Sequence, residues 1–183
     1  MTARTRFLFS SAGLLVLAAP QAIVASEYLS VENAQRAAFA QADRFEAVTL
    51  SLTAEQQRTI ATLAGPQPPH GKFQAWRAKQ GNQALGYFFV DEVIGRQDFI
   101  TYSVAIDTNG QLSTVEILSY RESHGGEVRN SAWRKQFAGH DDLGKLRFSI
   151  DIKNIAGATL SCEHVTQGVR WILAVWQTAL HSK

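Results

Sequence analysis

Apolar and polar residues alternate most regularly between Ile100 and Ile117. Ile100, Tyr102, Val104 and Ile106 occupy every second position, with Thr101 and Ser103 between them. Beyond Asn109-Gly110 the alternation resumes, with Val115 and Ile117 set against Thr114 and Glu116. A period of two marks a half-buried antiparallel strand. Asn-Gly between two such runs predicts a two-residue hairpin turn of type I′. The hairpin then pairs Val104 with Val115 and Tyr102 with Ile117, and gathers the apolar side chains on one face. Ala84 to Val93 reads as a longer apolar strand beside it, and the whole stretch from Lys72 to Tyr120 reads as β.

Helical spacing appears on either side of this stretch. Ser30 caps an Ala-rich segment reaching about Ala42, with Asn33 at the capping-box position. Val48 to Leu52 alternates weakly and predicts a short strand. Thr53 caps a second helix to about Ala64, and Gln56 completes the capping box. Gly65-Pro66-Gln67-Pro68-Pro69-His70-Gly71 breaks the pattern and predicts a junction. Asn130 caps a short helix to Ala138, and Arg147 to Ile152 reads as a last extended piece. A closing helix then starts at a Thr159 or Ser161 cap and reaches about Leu180. Val165, Val169, Ile172, Val175, Trp176 and Leu180 mark its buried face. The expected class is α+β: one domain over residues 72–183, an antiparallel sheet closed by a C-terminal helix, preceded by an N-terminal helical arm, residues 27–71.

The first 26 residues have the pattern of a secretory signal. Arg4 and Arg6 precede an apolar run from Phe7 to Ala19, Pro20-Gln21 interrupts it, and Val24-Ala25-Ser26 offers small residues for cleavage. An uncleaved anchor is the alternative, although a spanning helix wants about 20 apolar residues. A periplasmic or other extracytoplasmic protein, with membrane association left open, is the expectation. Without this segment the 18 Lys and Arg residues fall by two and equal the 16 Asp and Glu residues. A neutral chain lacks the basic face that nucleic acid requires. Cys162 is the single cysteine, which excludes an internal disulfide, a Cys-based zinc site and a CxxCH haem site; packing is its expected role.

Candidate chemistry concentrates in Ile155-Ala156-Gly157-Ala158-Thr159-Leu160-Ser161. Small residues bring the backbone close to a ligand, and the helix start that follows presents unpaired N–H groups to an anion such as phosphate. Plain N-capping by Thr159 is the other reading. If a phosphate sits there, the amides of Leu160, Ser161 and Cys162 receive it. His124-Gly125-Gly126 resembles an esterase oxyanion loop, but no Gly-x-Ser-x-Gly elbow accompanies it. His140-Asp141-Asp142 lacks the spacing of a metal site. No residue stands out as catalytic, and neither a GxGxxG nor a P-loop is present.

The segments from Gly86 to Arg96 and from Tyr102 to Leu112 are followed by Val115 to Gly126, by Trp133 to Gly139 and by the Gly157-Ala158-Thr159 turn. In this order, over about residues 84–176, they resemble the FMN-binding domain family. That family includes the C subunit of the sodium-pumping NADH:quinone oxidoreductase and the G subunit of the Rnf complex. The resemblance implies FMN joined through a phosphoester to the last Thr of a Ser/Thr-Gly-Ala-Thr motif, here Thr159. It places Ala156, Gly157, Ala158, Leu160, Ser161 and Glu122 around the cofactor, with Leu160 beside an apolar wall for the ring. It implies attachment by an Mg²⁺-dependent flavin transferase using FAD, and electron exchange with a membrane redox complex or a periplasmic acceptor. Two positions depart from the pattern: Ala156 stands where the family has Ser or Thr, and Lys153 where it has Asp, the nearest upstream acid being Asp151. A flavin-free scaffold or regulatory subunit of the same fold is the alternative these departures favour.

Overall fold

The computed structural model describes residues 26–66 and 70–181. The expected export segment, apart from Ser26, and the centre of the junction at Gln67–Pro69 lie outside the described residues. Six antiparallel strands form one sheet: β1 (Ser26–Glu27), β2 (Arg44–Ala47), β3 (Gln74–Gln80), β4 (Gln83–Ile94), β5 (Phe99–Asp107) and β6 (Leu112–Tyr120). Their order across the sheet is β1-β6-β5-β4-β3-β2. The helices are α1 (Val31–Ala38), α2 (Ala54–Ala64), the single turn α3 (Ser131–Arg134) and α4 (Thr159–Val175). A π-helical turn extends α4 through Leu180. The architecture is therefore α+β, with a helix before the sheet and a closing helix after it.

The expected register holds: Val104 faces Val115 and Tyr102 faces Ile117. The hairpin turn differs from the expected type. Gly110 has φ +90°, whereas Asn109 stays at negative φ. Gly110 N–H donates to Asp107 O, and Asp107 N–H donates to Gln111 O. This is a three-residue loop, a type I turn closed by a left-handed glycine. Asp107 selects it, because its carboxylate accepts the N–H groups of Asn109 and Gln111, each at 2.9 Å. An acid at the first turn position stabilises type I.

The sheet is covered on both faces. One face carries Tyr102, Val104, Ile106, Val115 and Ile117 under α4, with α2 packed against α4. The other carries Phe88, Val90, Ala105 and Leu118 under α1. Thr101, Ser103, Thr114 and Glu116 were expected to form a solvated face. Instead Ser103 is buried and its neighbour Ala105 is fully enclosed. Double coverage explains why β4 reads as the nearly continuous run Tyr87-Phe88-Phe89-Val90.

Other expectations shift locally. Ser30 caps α1 through Asn33 N–H, but the helix ends at Ala38. The Thr53–Gln56 capping box is present in both directions. The early strand is Arg44–Ala47 and not Val48–Leu52. It pairs with β3, and Glu46 meets Arg44 and Lys79 on its exposed side. Val48, Leu50 and Leu52 turn inward onto the main core. Arg147–Ile152 is a tight turn and not an extended piece. The Asp151 carboxylate accepts from the Arg147 backbone and guanidinium, and Ser149 takes φ +61°. This pairing, led by the Arg147 side-chain hydrogen bond, lowers the Asp151 carboxyl to about 2.

Candidate functional site

Helix α4 begins without a side-chain cap. Its N-cap is Ala158, whose carbonyl accepts Cys162 N–H at 2.9 Å. Thr159 is thus the first helical residue, and neither it nor Ser161 serves as the expected cap. The free first-turn N–H groups are those of Thr159, Leu160 and Ser161. The Cys162 amide, expected to help hold a phosphate, is committed to the helix. Gly157 has φ +86° with no atom within 4 Å of a would-be Cβ. This conformation suits glycine and turns the chain into the helix while leaving the space beside it open.

Thr159 is exposed, and its Oγ1 accepts from Asn154 Nδ2 at 3.0 Å. The Thr159 O–H remains free to donate or to be replaced. Ser161 is buried, its Oγ lying 3.0 Å from Tyr120 Oη, and Tyr120 also donates to the His124 carbonyl. Burial, the larger influence, raises the Tyr120 phenol above its usual range against the opposing Ser161 bond. The phenol is therefore a neutral strut between the loop after β6 and the helix start. Cys162 has no exposed surface and burial raises its thiol, as packing requires.

Gly157, Ala158, Thr159, Leu160 and Ser161 line an open cleft of about 600 Å³ with Glu122, Ser123, His124, Arg96 and Gln97. Of the residues expected around a cofactor, only Ala156 is outside this lining, exposed on the turn. Glu122 lines the cleft, but one of its oxygens is already in use. Glu122 Oε1 accepts backbone N–H groups from Arg96, from Gln97 at 2.5 Å and from Asp98 at 2.9 Å. Burial pushes its carboxyl up, but these three donors together outweigh it and hold the group below the usual carboxylate range. Glu122 thus ties the β4–β5 turn to the end of β6 and brings Arg96 to the cleft.

The arrangement fits one phosphate: free N–H groups at a 17-residue helix, an exposed hydroxyl, an open glycine turn and one guanidinium. The upstream departures also have a clear geometry. Lys153 is tied down through its backbone, with its N–H on Gln136 Oε1 and its carbonyl accepting from Trp133 Nε1. Both oxygens of Asp151 are engaged by Arg147. Among the described residues, no group of three or more His, Cys, Asp or Glu side chains gathers as a metal site. No helix among them is long and apolar enough to cross a membrane.

Asn154 and Tyr120 are site residues beyond those expected from the sequence. Asn154 lies only five positions before Thr159, and an Asx residue ahead of a small-residue turn is the local signal for it. Tyr120 has no such signal, because its partners come from a loop and a helix that only the fold brings together.

Residues 95–174 match the FMN-binding domain family. The match spans β5, β6, α3 and nearly all of α4, and includes Thr159 and Glu122. No curated protein matches the chain.

Proposed function

We propose, from a chain whose residues 95–174 form a domain of the FMN-binding family, that it is an exported electron carrier with FMN joined to Thr159. The observation that carries this reading is the position of Thr159: an exposed hydroxyl at an uncapped helix start inside the matched domain. FMN, when bound, supplies one- and two-electron transfer. The chain's own contribution is position and charge. The Thr159, Leu160 and Ser161 amides face the remaining charge of a phosphodiester, and Arg96 adds a cation at the cleft wall. Asn154 holds the Thr159 oxygen in the cleft by donating to it.

Attachment by a flavin transferase balances as a substitution at phosphorus. The Thr159 oxygen forms the new P–O bond, the bond to AMP in FAD breaks, and the hydroxyl proton leaves with the departing charge. Export precedes this step if residues 1–26 act as a cleaved signal, so the transferase acts outside the cytoplasm. Electrons then arrive from a membrane redox complex and leave to a periplasmic acceptor. A flavin-free scaffold of the same fold is the second reading. Lys153 and the committed Asp151 favour it, since neither offers a free carboxylate near Thr159.

The test is the intact mass of the exported chain after co-expression with an FAD-dependent flavin transferase. An FMN adduct located on the Thr159 peptide is expected, and Thr159→Ala should abolish flavin that survives denaturation. Thr159 is not the cap, so the substitution should cost less than about 1 kcal/mol. An unlabelled Thr159 peptide, or an adduct on Ser161, overturns the reading.

A further inference from the structure

We propose that the isoalloxazine ring of a flavin on Thr159 rests against Tyr28 and Arg129. The N-terminal segment, outside the matched domain, then completes the cofactor site. This rests on the Thr159 reading. A second hollow of about 470 Å³ adjoins the Thr159 cleft, and the two share Glu122, Ser123, His124 and Gly157. Gly157 has open space on its side-chain side, so a group starting at Thr159 can pass over it into the hollow.

Tyr28 and Arg129 form one wall. Tyr28 is 44% exposed, although its backbone is fixed to the sheet by donation to Leu118 O at 2.9 Å. The Arg129 guanidinium lies 4.4 Å from the Tyr28 ring centroid. Arg129 Nε donates to Gly126 O at 2.9 Å, so the stack is anchored at both ends before any ligand arrives. Gly125 and Gly126 contribute backbone without side chains. At Gly125, with φ +86°, a Cβ would come within 2.6 Å of Tyr120 Oη, so this wall stays low.

The chemistry of the pair suits a flavin ring. The Arg129 guanidinium covers one face of Tyr28, which leaves the other face of the phenol for a flat, electron-poor aromatic system to stack on. The guanidinium behind that phenol opposes the negative charge that reduction adds. The other ionisable groups lining the hollow are Glu122, Glu127, His124 and Tyr120. Glu122 is held through Oε1 by the β4–β5 turn, and Arg129 is the single Arg or Lys in the lining. Leu160, also 44% exposed, is the competing wall on the other side of Thr159. It offers apolar contact but no aromatic face and no cation.

The experiment uses the full chain labelled by a flavin transferase, and reads intact mass, flavin fluorescence and midpoint potential. A stacked phenol quenches flavin fluorescence by electron transfer. Wild-type label should therefore be dim when folded and brighten several-fold on unfolding. Tyr28→Leu should carry the same mass adduct and be several-fold brighter while folded, whereas Tyr28→Trp should stay dim. Arg129→Met should keep the label and lower the midpoint potential. A folded, labelled Tyr28→Leu as dim as wild type, or brightening produced by Leu160→Ala instead, overturns the placement. If Tyr28→Leu does not fold, an unchanged potential in Arg129→Met overturns it. A wild type without the mass adduct overturns the Thr159 reading, and the placement with it; mass separates this failure from the others.

Discussion

Asn154 and Thr159 work as a unit, because the Asn154 amide fixes the hydroxyl oxygen at 3.0 Å on an exposed surface. An exposed hydrogen bond contributes little to folding, about 1 kcal/mol or less, but in the proposed attachment of FMN the orientation of this oxygen matters to a transferase. Asn154→Ala should leave the melting temperature nearly unchanged and slow labelling of Thr159, as followed by intact mass over time. A different balance holds at Asp91. It is 1% exposed, accepts from the buried Tyr102 hydroxyl at 2.7 Å, and has His70 Nδ1 3.6 Å from its second oxygen. Burial, the largest influence, raises its carboxyl despite the Tyr102 bond. The folded state therefore binds the Asp91 proton more tightly than the unfolded chain does. Stability should fall as pH rises from the ordinary carboxylate range through the raised value. Urea midpoints across pH should show this slope in wild type and a flatter one in Asp91→Asn. An equal slope in both would place the effect elsewhere.

At the scale of elements, α4 meets the sheet at two close approaches. At Gly168 a Cβ would lie 2.0 Å from Tyr102 Oη. Alanine gains about 1 kcal/mol over glycine in a helix. Displacing the phenol from Asp91 leaves a buried carboxylate short of a donor, at a cost of about 1–3 kcal/mol or more. Gly168→Ala should therefore lower the melting temperature despite the better helix former. At Gly110 a Cβ would lie 2.5 Å from the Trp176 ring, at φ +90°. Gly110→Val combines backbone strain with overpacking and should cost at least about 2 kcal/mol; chemical denaturation measures it. The hairpin register was legible because alternation and turn lie within one short stretch, as was the Thr53–Gln56 capping box. The turn type was not, since Asp107 overrides what Asn-Gly alone suggests. The start of α4 at Ala158 carries no capping side chain to read. Strand β2, Arg-Phe-Glu-Ala, has neither β-branched residues nor a clear apolar face, so only pairing with β3 reveals it. At the candidate site, the stretch from Gly157 to Ser161 was readable as one local motif. The contributions of Tyr120, Tyr28 and Arg129 depend on contacts distant in sequence.

Across the whole molecule, the segment before Val48 serves both edges of the sheet. β1 pairs with β6 at one edge and β2 with β3 at the other, while α1 packs on the face between them. Phe39, buried just after α1, lies within 2.9 Å of where a Cβ on Gly86 would sit. Phe39→Ala should cost about 3–5 kcal/mol, read from the denaturation midpoint, with little effect on the Thr159 cleft, which lies off this face.

This two-edged strap has a consequence for the order of folding. Ser26 pairs with Tyr120, so β1 has to wait for a partner made far later, and closing so long a loop is slow. The β4–β5–β6 meander, whose contacts are nearer in sequence, can assemble before it. Interactions made by α1 should then be absent from the rate-limiting transition state. Ala34→Gly, at a buried position of α1, should speed unfolding and leave the refolding rate nearly unchanged. A refolding rate that drops with the lost stability would instead put the strap in the nucleus.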